Sequence, residues 1–404
     1  MKRRQFLMGA AGAVACLTRL GQTSQRARVP ELLASPLPDP ARVARLPSAA
    51  LVVADPQGQR VHVIDVATGR GLATVESFRA THAIQIVPAE KRAFVHGKRT
   101  DRGGGALAVF KVGPGSADVE LNLDLPDAPL HWQPRPDLSE IAYNTTHDSG
   151  LTVVDTKTLK VESFPGAAGH HSLMAFLEND VVISNDLVER GKVRIFDRTQ
   201  GYVDAETDVG GWPHGLNTCL ETGRAYCWCA DGVHVIGLRG RERGRHLGII
   251  PQLARGQRCW FAWTPQGGRL THDVSWSNGD VFLPYLTVVD AKAEKLEKIE
   301  SGTKQPGTLT VSDDAKWGLA SSRNTPEALL FDLAASRYVG AIPIGGADPK
   351  RFFDRDLSIA PGGQWAAVSN PRDPGVSVLD LKSREEVARI PLTFSPGWMK
   401  LLLT

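Results

Sequence analysis

Residues 63–69 read VIDVATG, an apolar run that ends in Asp and breaks into a polar turn. The same phrase returns as VVDTKTL (153–159), IFDRTQG (195–201), VVDAKAE (288–294), LFDLAAS (330–336) and VLDLKSR (378–384). Degenerate copies stand at VFKVGPG (109–115) and VIGLRGR (235–241), which makes eight. From Asp65 to Asp380 is 315 residues over seven steps, so the period is about 45, the length of a four-stranded propeller blade. A second phrase precedes most copies: a Pro or turn residue, an alternating apolar run, a polar turn and another apolar run. It reads THAIQIVPAEKRAFV (81–95), PHGLNTCLETGRAYC (213–227), PGTLTVSDDAKWGLA (306–320) and RDLSIAPGGQWAAVS (355–369). We assign it to the innermost strand of each blade, its turn and the next strand; the Asp-ended strand is then third. Alternation offers one face to each neighbouring blade, so the core lies between blades.

The chain ends fit this plan. The repeat region starts on a second-strand sequence, ALVVAD (50–55), and finishes on an inner-strand sequence, SPGWMKLLLT (395–404). A C-terminal inner strand completing the N-terminal blade closes the ring and removes its open edges. The expectation is an all-β, single-domain β-propeller over 49–404 with eight four-stranded blades. Seven is the alternative, because the blade around 258–301 is irregular and carries an insertion near Ser275–Tyr285.

Before the repeat, MKRRQFLMGAAGAVACL has a basic start, a small-residue apolar core and no acid. It reads as an export signal over 1–25, too short for a stable span. Arg3 and Arg4 followed by Gln5, Phe6 and Leu7 resemble the twin-arginine type, which implies a periplasmic protein exported already folded. Cys16 after Ala15 makes a poor lipoprotein site, so simple cleavage is preferred to lipid anchoring. Residues 26–48, with Pro30, Pro36, Pro38 and Pro40, read as a linker. Residues 1–25 carry four basic side chains and no acid, so the formal charge of +3 becomes 43 basic against 44 acidic residues in the remainder. That balance gives no general attraction to nucleic acid or anionic lipid. No later apolar run approaches the length of a membrane span.

Aligning the inner strands on their turns makes one position recur. It holds His82, His171 and His214 and, with a one-residue slip, His131; the next blade has Cys259, and the others Gly307, Arg355 or Asp356, and Gly397. This position starts the strand nearest the axis, so four histidines on consecutive blades would form an arc at one side of the funnel. Neutral imidazoles suit zinc, with about four ligands in a closed site or three plus water in an open one. They suit Cu(II) as well, so the residues do not choose the metal. Any one such histidine would ordinarily just meet water; the argument rests on four in register. His170 stands beside His171, and the pairs His147–Asp148 and His272–Asp273 read as turn-stabilising. His62, His96, His234 and His246 fall in outer or surface-type strands and read as inert. Cys219, Cys227, Cys229 and Cys259 remain after the signal, an even number that in an exported protein suggests disulfides. Cys227 and Cys229 share a strand face and are not expected to bond each other. Cys219 is placed near Cys227, about one pair out of register. No Cys-x-x-Cys-His is present for covalent haem, and no nucleophile elbow or phosphate loop for an enzyme of those classes.

The repeat resembles the YVTN-type bacterial β-propellers over 49–404. PLHW (129–132), GHHS (169–172), PHG (213–215) and CADGVHVI (229–236) look like the periplasmic AztD-type zinc metallochaperones. The resemblance implies zinc bound near the propeller centre and passed to a solute-binding protein of a zinc transporter. It departs where such proteins have a His/Asp-rich tract and a cysteine before PHG; here Gly210, Gly211 and Trp212 stand. The competing expectations are a copper- or haem-dependent redox protein using the same funnel, and an interaction scaffold.

Overall fold

The computed structural model describes residues 48–404 apart from 102, 126–127, 146–149, 169–171, 186–187, 255–268, 272–275, 278–280, 345–355 and 371–373. For 80–83, 185, 269–271, 276–277 and 281–282 only the backbone is described. The expected signal, and the expected linker up to residue 47, lie outside these residues. Among the described residues there is no α-helix, and the strands form seven four-stranded antiparallel sheets, one three-stranded sheet and one two-stranded ribbon. None of the described elements is a helix long and apolar enough to cross a membrane.

In chain order the sheets follow the repeat. The first holds Ala49–Asp55, Arg60–Asp65 and Gly71–Val75, and takes Met399–Leu403 as its fourth strand. The second runs over 78–125, the third over 129–164, the fourth over 172–209 and the fifth over 216–250. The sixth pairs Arg269–Thr271, Tyr285–Asp290 and Lys295–Glu300; the seventh spans 306–343 and the eighth 357–391. Trp276–Ser277 and Val281–Phe282 form the ribbon, inserted within the sixth sheet where the sequence shows its irregular stretch.

Why the Asp-ended phrase repeats is visible in its turns. The Asp65 carboxylate accepts the Thr68 N–H at 2.9 Å, Asp155 that of Thr158 at 2.6 Å, Asp197 that of Gln200 at 2.9 Å and Asp332 that of Ala335 at 2.9 Å. Each is an Asx-type turn, in which a short carboxylate satisfies amides that the turn leaves out of the ladder.

Apolar side chains gather between sheets. Val52, Val61 and Val63 of the first meet Ile84, Val95 and Phe110 of the second, while Leu51, Ile64 and Leu401 meet Val376, Val378 and Ile390 of the eighth. Six further clusters join the second sheet to the third and so on to the eighth. Two-faced burial also explains strands that read as continuous apolar runs, such as Ala49–Asp55, buried at every position. Polar side chains tie sheets together at the margins: Arg198 of the fourth donates to Glu140 at 2.8 and 2.9 Å and to Glu162 at 3.0 Å in the third.

Candidate metal centre

The first strands of successive sheets lie side by side: Pro129–Pro134 touches both Phe78–Val87 and Ser172–Leu177, and Ser172–Leu177 touches Leu216–Cys219. His131 sits in Pro129–Pro134 where the pairing slips between Pro129 and Trp132, and its N–H donates to Asn144 Oδ1 at 2.6 Å. His214 stands just before Leu216–Cys219; its N–H donates to the Trp228 carbonyl and the Trp228 N–H to that of Gly215, both at 2.8 Å. Both histidines are buried, at 7% and 8% exposure, at the starting ends of their strands. Strand Ser172–Leu177 separates the strands that carry them. His82 lies in Phe78–Val87, where the register shifts between Ala80 and Ile84. Its side chain, like His147, His170, His171, Cys259 and His272, is outside the described residues. The register equivalents on the other sheets are structural. A Cβ on Gly307 would lie 2.5 Å from Ser321 Oγ, and one on Gly397 2.8 Å from Pro56. The Asp356 carboxylate accepts the Met399 N–H at 2.6 Å.

The fifth sheet builds a second donor set that the inner-strand alignment does not reach. Strands Arg224–Cys229 and Gly232–Gly237 form a hairpin that sets Cys227 opposite His234 and Cys229 opposite Gly232. Period-two alternation then puts Cys227, Cys229 and His234 on one face; the two cysteines pack with Val193 and Ile195 of the fourth sheet. A register shift between Val235 and Ile236 swings His246 alongside. His234 Nδ1 lies 2.9 Å from His246 Nε2, the rings 4.9 Å apart between centroids. On its other side, His234 Nε2 lies 3.0 Å from Asp231 Oδ1 and accepts the Gly210 N–H at 3.1 Å. One donor atom each from Cys229, Asp231 and His234 falls within a 4.8 Å span. The Cys229 and Cys227 sulfurs are 3.9 Å apart. Cys229 and His234 are buried, whereas the Asp231 side chain is 53% exposed and opens the cluster to solvent.

Electrostatics follow from this placement. The hydrogen bond to Cys227 and then burial push the Cys229 thiol well above its ordinary range, with the charges of Cys227 and Asp231 acting the same way. Partial desolvation and then the neighbouring His234 hold His246 below its ordinary value, against the pull of Asp231. This favours the neutral form of His246, whose Nε2 can accept a hydrogen bond from a His234 Nδ1–H.

Two expectations are corrected here. His234, His62 and His96 are buried, at 4%, 1% and 1% exposure, rather than at the surface, while His246 is exposed as expected and stands beside His234. Cys219 pairs with Arg224 and Cys227 with Leu216, so they are three pairs apart, and Cys219 packs with Val289 of the sixth sheet. Cys219, Cys227 and Cys229 are all free thiols. The pattern Cys-x-Asp-x-x-His across a two-residue hairpin turn was the signal that could have found the cluster.

No family model and no curated protein matches the chain. Solved structures do. AztD from Citrobacter koseri superposes with a TM-score of 0.67 at 16% identity, covering 88% of this chain and 98% of AztD. The chain is a β-propeller. The propeller also matches dihydro-heme d1 dehydrogenase NirN in complex with DHE, with a TM-score of 0.61 at 15% identity over 89% of this chain and 75% of NirN. A functionally unknown protein from Desulfotomaculum acetoxidans follows, with a TM-score of 0.52 at 11% identity over 87% and 98%. At these identities the likeness carries the fold, and the propeller's chemistry has to be argued from its own side chains.

Proposed function

We propose that this chain is an exported, periplasmic propeller that binds zinc through inner-strand histidines and delivers it to a solute-binding protein of a metal transporter. The observation that carries the reading is the pair His131 and His214. Both are buried at the starting ends of inner strands, in a fold shared with AztD over nearly all of AztD's length. His82 and His171 occupy the same sequence position in their own repeats and complete the ligand set in this reading. The ring has eight blades and is closed by Met399–Leu403; the core clusters on both faces of the first sheet, towards the second and the eighth, support that count and closure. Arg3 and Arg4 support the twin-arginine route, under which the propeller folds before export.

Zinc is cargo in this reading, so reversible binding matters more than catalysis. Zinc stoichiometry of protein prepared without a histidine tag tests it. The His131→Ala/His171→Ala/His214→Ala variant is expected to lose one equivalent, and unchanged stoichiometry would sink the assignment. A redox propeller holding copper or haem in the same funnel has the likeness to NirN in its favour. Visible absorption of the protein as isolated separates the two, since zinc is colourless.

A further inference from the structure

Cys229, Asp231, His234 and Gly210 are arranged in a way that hydrogen bonding alone does not satisfy. The Gly210 N–H points at His234 Nε2 from 3.1 Å, so that nitrogen offers a lone pair and the ring proton sits on Nδ1, donated to His246 Nε2 at 2.9 Å. Asp231 Oδ1 then faces the same lone pair from 3.0 Å, two acceptors in contact. Protonating Nε2 to satisfy Asp231 would set its N–H against that of Gly210. A cation shared by Nε2 and Oδ1 removes the contact between the two acceptors, and the Gly210 N–H, which also reaches the Cys229 sulfur, then turns from Nε2 to that sulfur. Two donors bound at ~2.0–2.1 Å to a tetrahedral zinc sit roughly 3.3 Å apart, close to the separation found.

We propose that Cys229 Sγ, Asp231 Oδ1 and His234 Nε2 form a thiolate-bearing transition-metal site at the boundary of the fourth and fifth sheets. It is built without the inner-strand histidines. The donor mix of one sulfur, one imidazole and one carboxylate selects zinc-like ions over calcium or magnesium, which take oxygen. Binding replaces the Cys229 thiol proton, which leaves to solvent. His246 holds the His234 ring through Nδ1, as a hydrogen-bond partner commonly does for a ligating imidazole. Three protein ligands leave a coordination position open, and the exposed Asp231 puts that position within reach of solvent or of another protein's side chain. Gly210 is part of the design: a Cβ there would overlap Asp231 Oδ1 and lie 2.7 Å from His234 Nε2, so any larger residue would drive the two ligands apart.

Cobalt(II) titration of the full mature chain under reducing conditions tests the site, because a thiolate ligand gives a near-ultraviolet sulfur-to-cobalt charge-transfer band that imidazole and carboxylate do not. The wild type is expected to show the band, Cys229→Ser to lose it, and Asp231→Asn and Gly210→Ala to weaken cobalt binding by about tenfold or more. Asp231 is exposed enough that its variant keeps the fold, which a thermal melt checks, so the test survives if Cys229→Ser is unstable. The His131→Ala/His214→Ala variant is expected to keep the band. Absence of the band in the wild type, its persistence in Cys229→Ser, unchanged affinity in Asp231→Asn, or its loss in the histidine variant would each overturn the proposal. Because that last variant removes only inner-strand histidines, failure here and failure of the zinc-delivery reading are distinguishable.

Discussion

His62 shows how one buried side chain couples this fold to pH. It lies in Arg60–Asp65 at 1% exposure, its ring 5.1 Å from Phe394 and its Nδ1 2.9 Å from Thr74 Oγ1. Burial lowers its pKa to about 4; Asp55 pulls upward and Arg60 downward by less. The unfolded chain therefore takes up a proton near pH 6.5 that the folded chain refuses until about pH 4. Stability from this group is complete above the unfolded value and is lost as pH falls through the window, by about 3 kcal/mol at the acid end. Urea unfolding between pH 7 and pH 4 should show this slope, and His62→Gln should flatten it by about one proton; an unchanged slope would remove His62 as the cause. At this scale the sequence was least legible. The alternation of Cys227 and Cys229 was readable, but the step that brings His246 to His234 is a register shift, and the close approach of Gly210 comes from the preceding sheet. Neither leaves a periodic trace in the residues.

The element that repeats is the Asp-ended strand and its turn, and it stores small amounts of strain that can be measured. Four residues after each Asp the backbone turns left-handed: Gly69 at φ 67°, Leu159 at 60°, Gly201 at 73°, Glu294 at 49°, Ser336 at 51° and Arg384 at 61°. At Gly69, Leu159, Gly201 and Arg384 the N–H closes the turn on the Asp carbonyl. This conformation costs an L-residue roughly 1 kcal/mol and glycine almost nothing. A methyl group added at Gly201 would meet nothing within 4 Å, so Gly201→Ala isolates the backbone cost. It should lower stability by about 1 kcal/mol, and Ser336→Gly should raise it by up to about 1 kcal/mol. Chemical denaturation checks both, and shifts of the same sign in the two variants would refute the account. This is also why the turns were legible: Asp at a fixed place has a local job, accepting turn amides, that survives changes in everything around it. The irregular sixth sheet was legible as an interruption, but not the pairing of Trp276–Ser277 with Val281–Phe282.

For the whole molecule the decisive strand is the last one. Met399–Leu403 pairs with Ala49–Asp55 in the register Leu51 to Leu401 and Ala50 to Leu402, joining residues some 350 apart in sequence. The chain ends predicted this partner, since each supplied what the other's sheet lacked. Its alternation splits it between two cores: Met399 and Leu401 pack towards the eighth sheet and Leu402 towards the second. The eighth sheet also holds its backbone through side chains, with Asp356 accepting the Met399 N–H at 2.6 Å and Ser358 Oγ accepting that of Leu401 at 2.9 Å. Burial raises the Asp356 pKa, offset by Lys400 and by the Met399 and Leu357 amides. Leu401→Ala and Leu402→Ala should each cost about 2–5 kcal/mol, since each empties a different, fully buried cluster. Because they face opposite sides with separate partners, the double variant should be close to the sum. Deleting 395–404 removes both at once and exposes the edge of Ala49–Asp55, so the truncated chain should lose its cooperative unfolding transition and aggregate. Calorimetry of the full and truncated chains decides it: a truncated chain that melts as the full one does would show that the first sheet stands without its C-terminal strand.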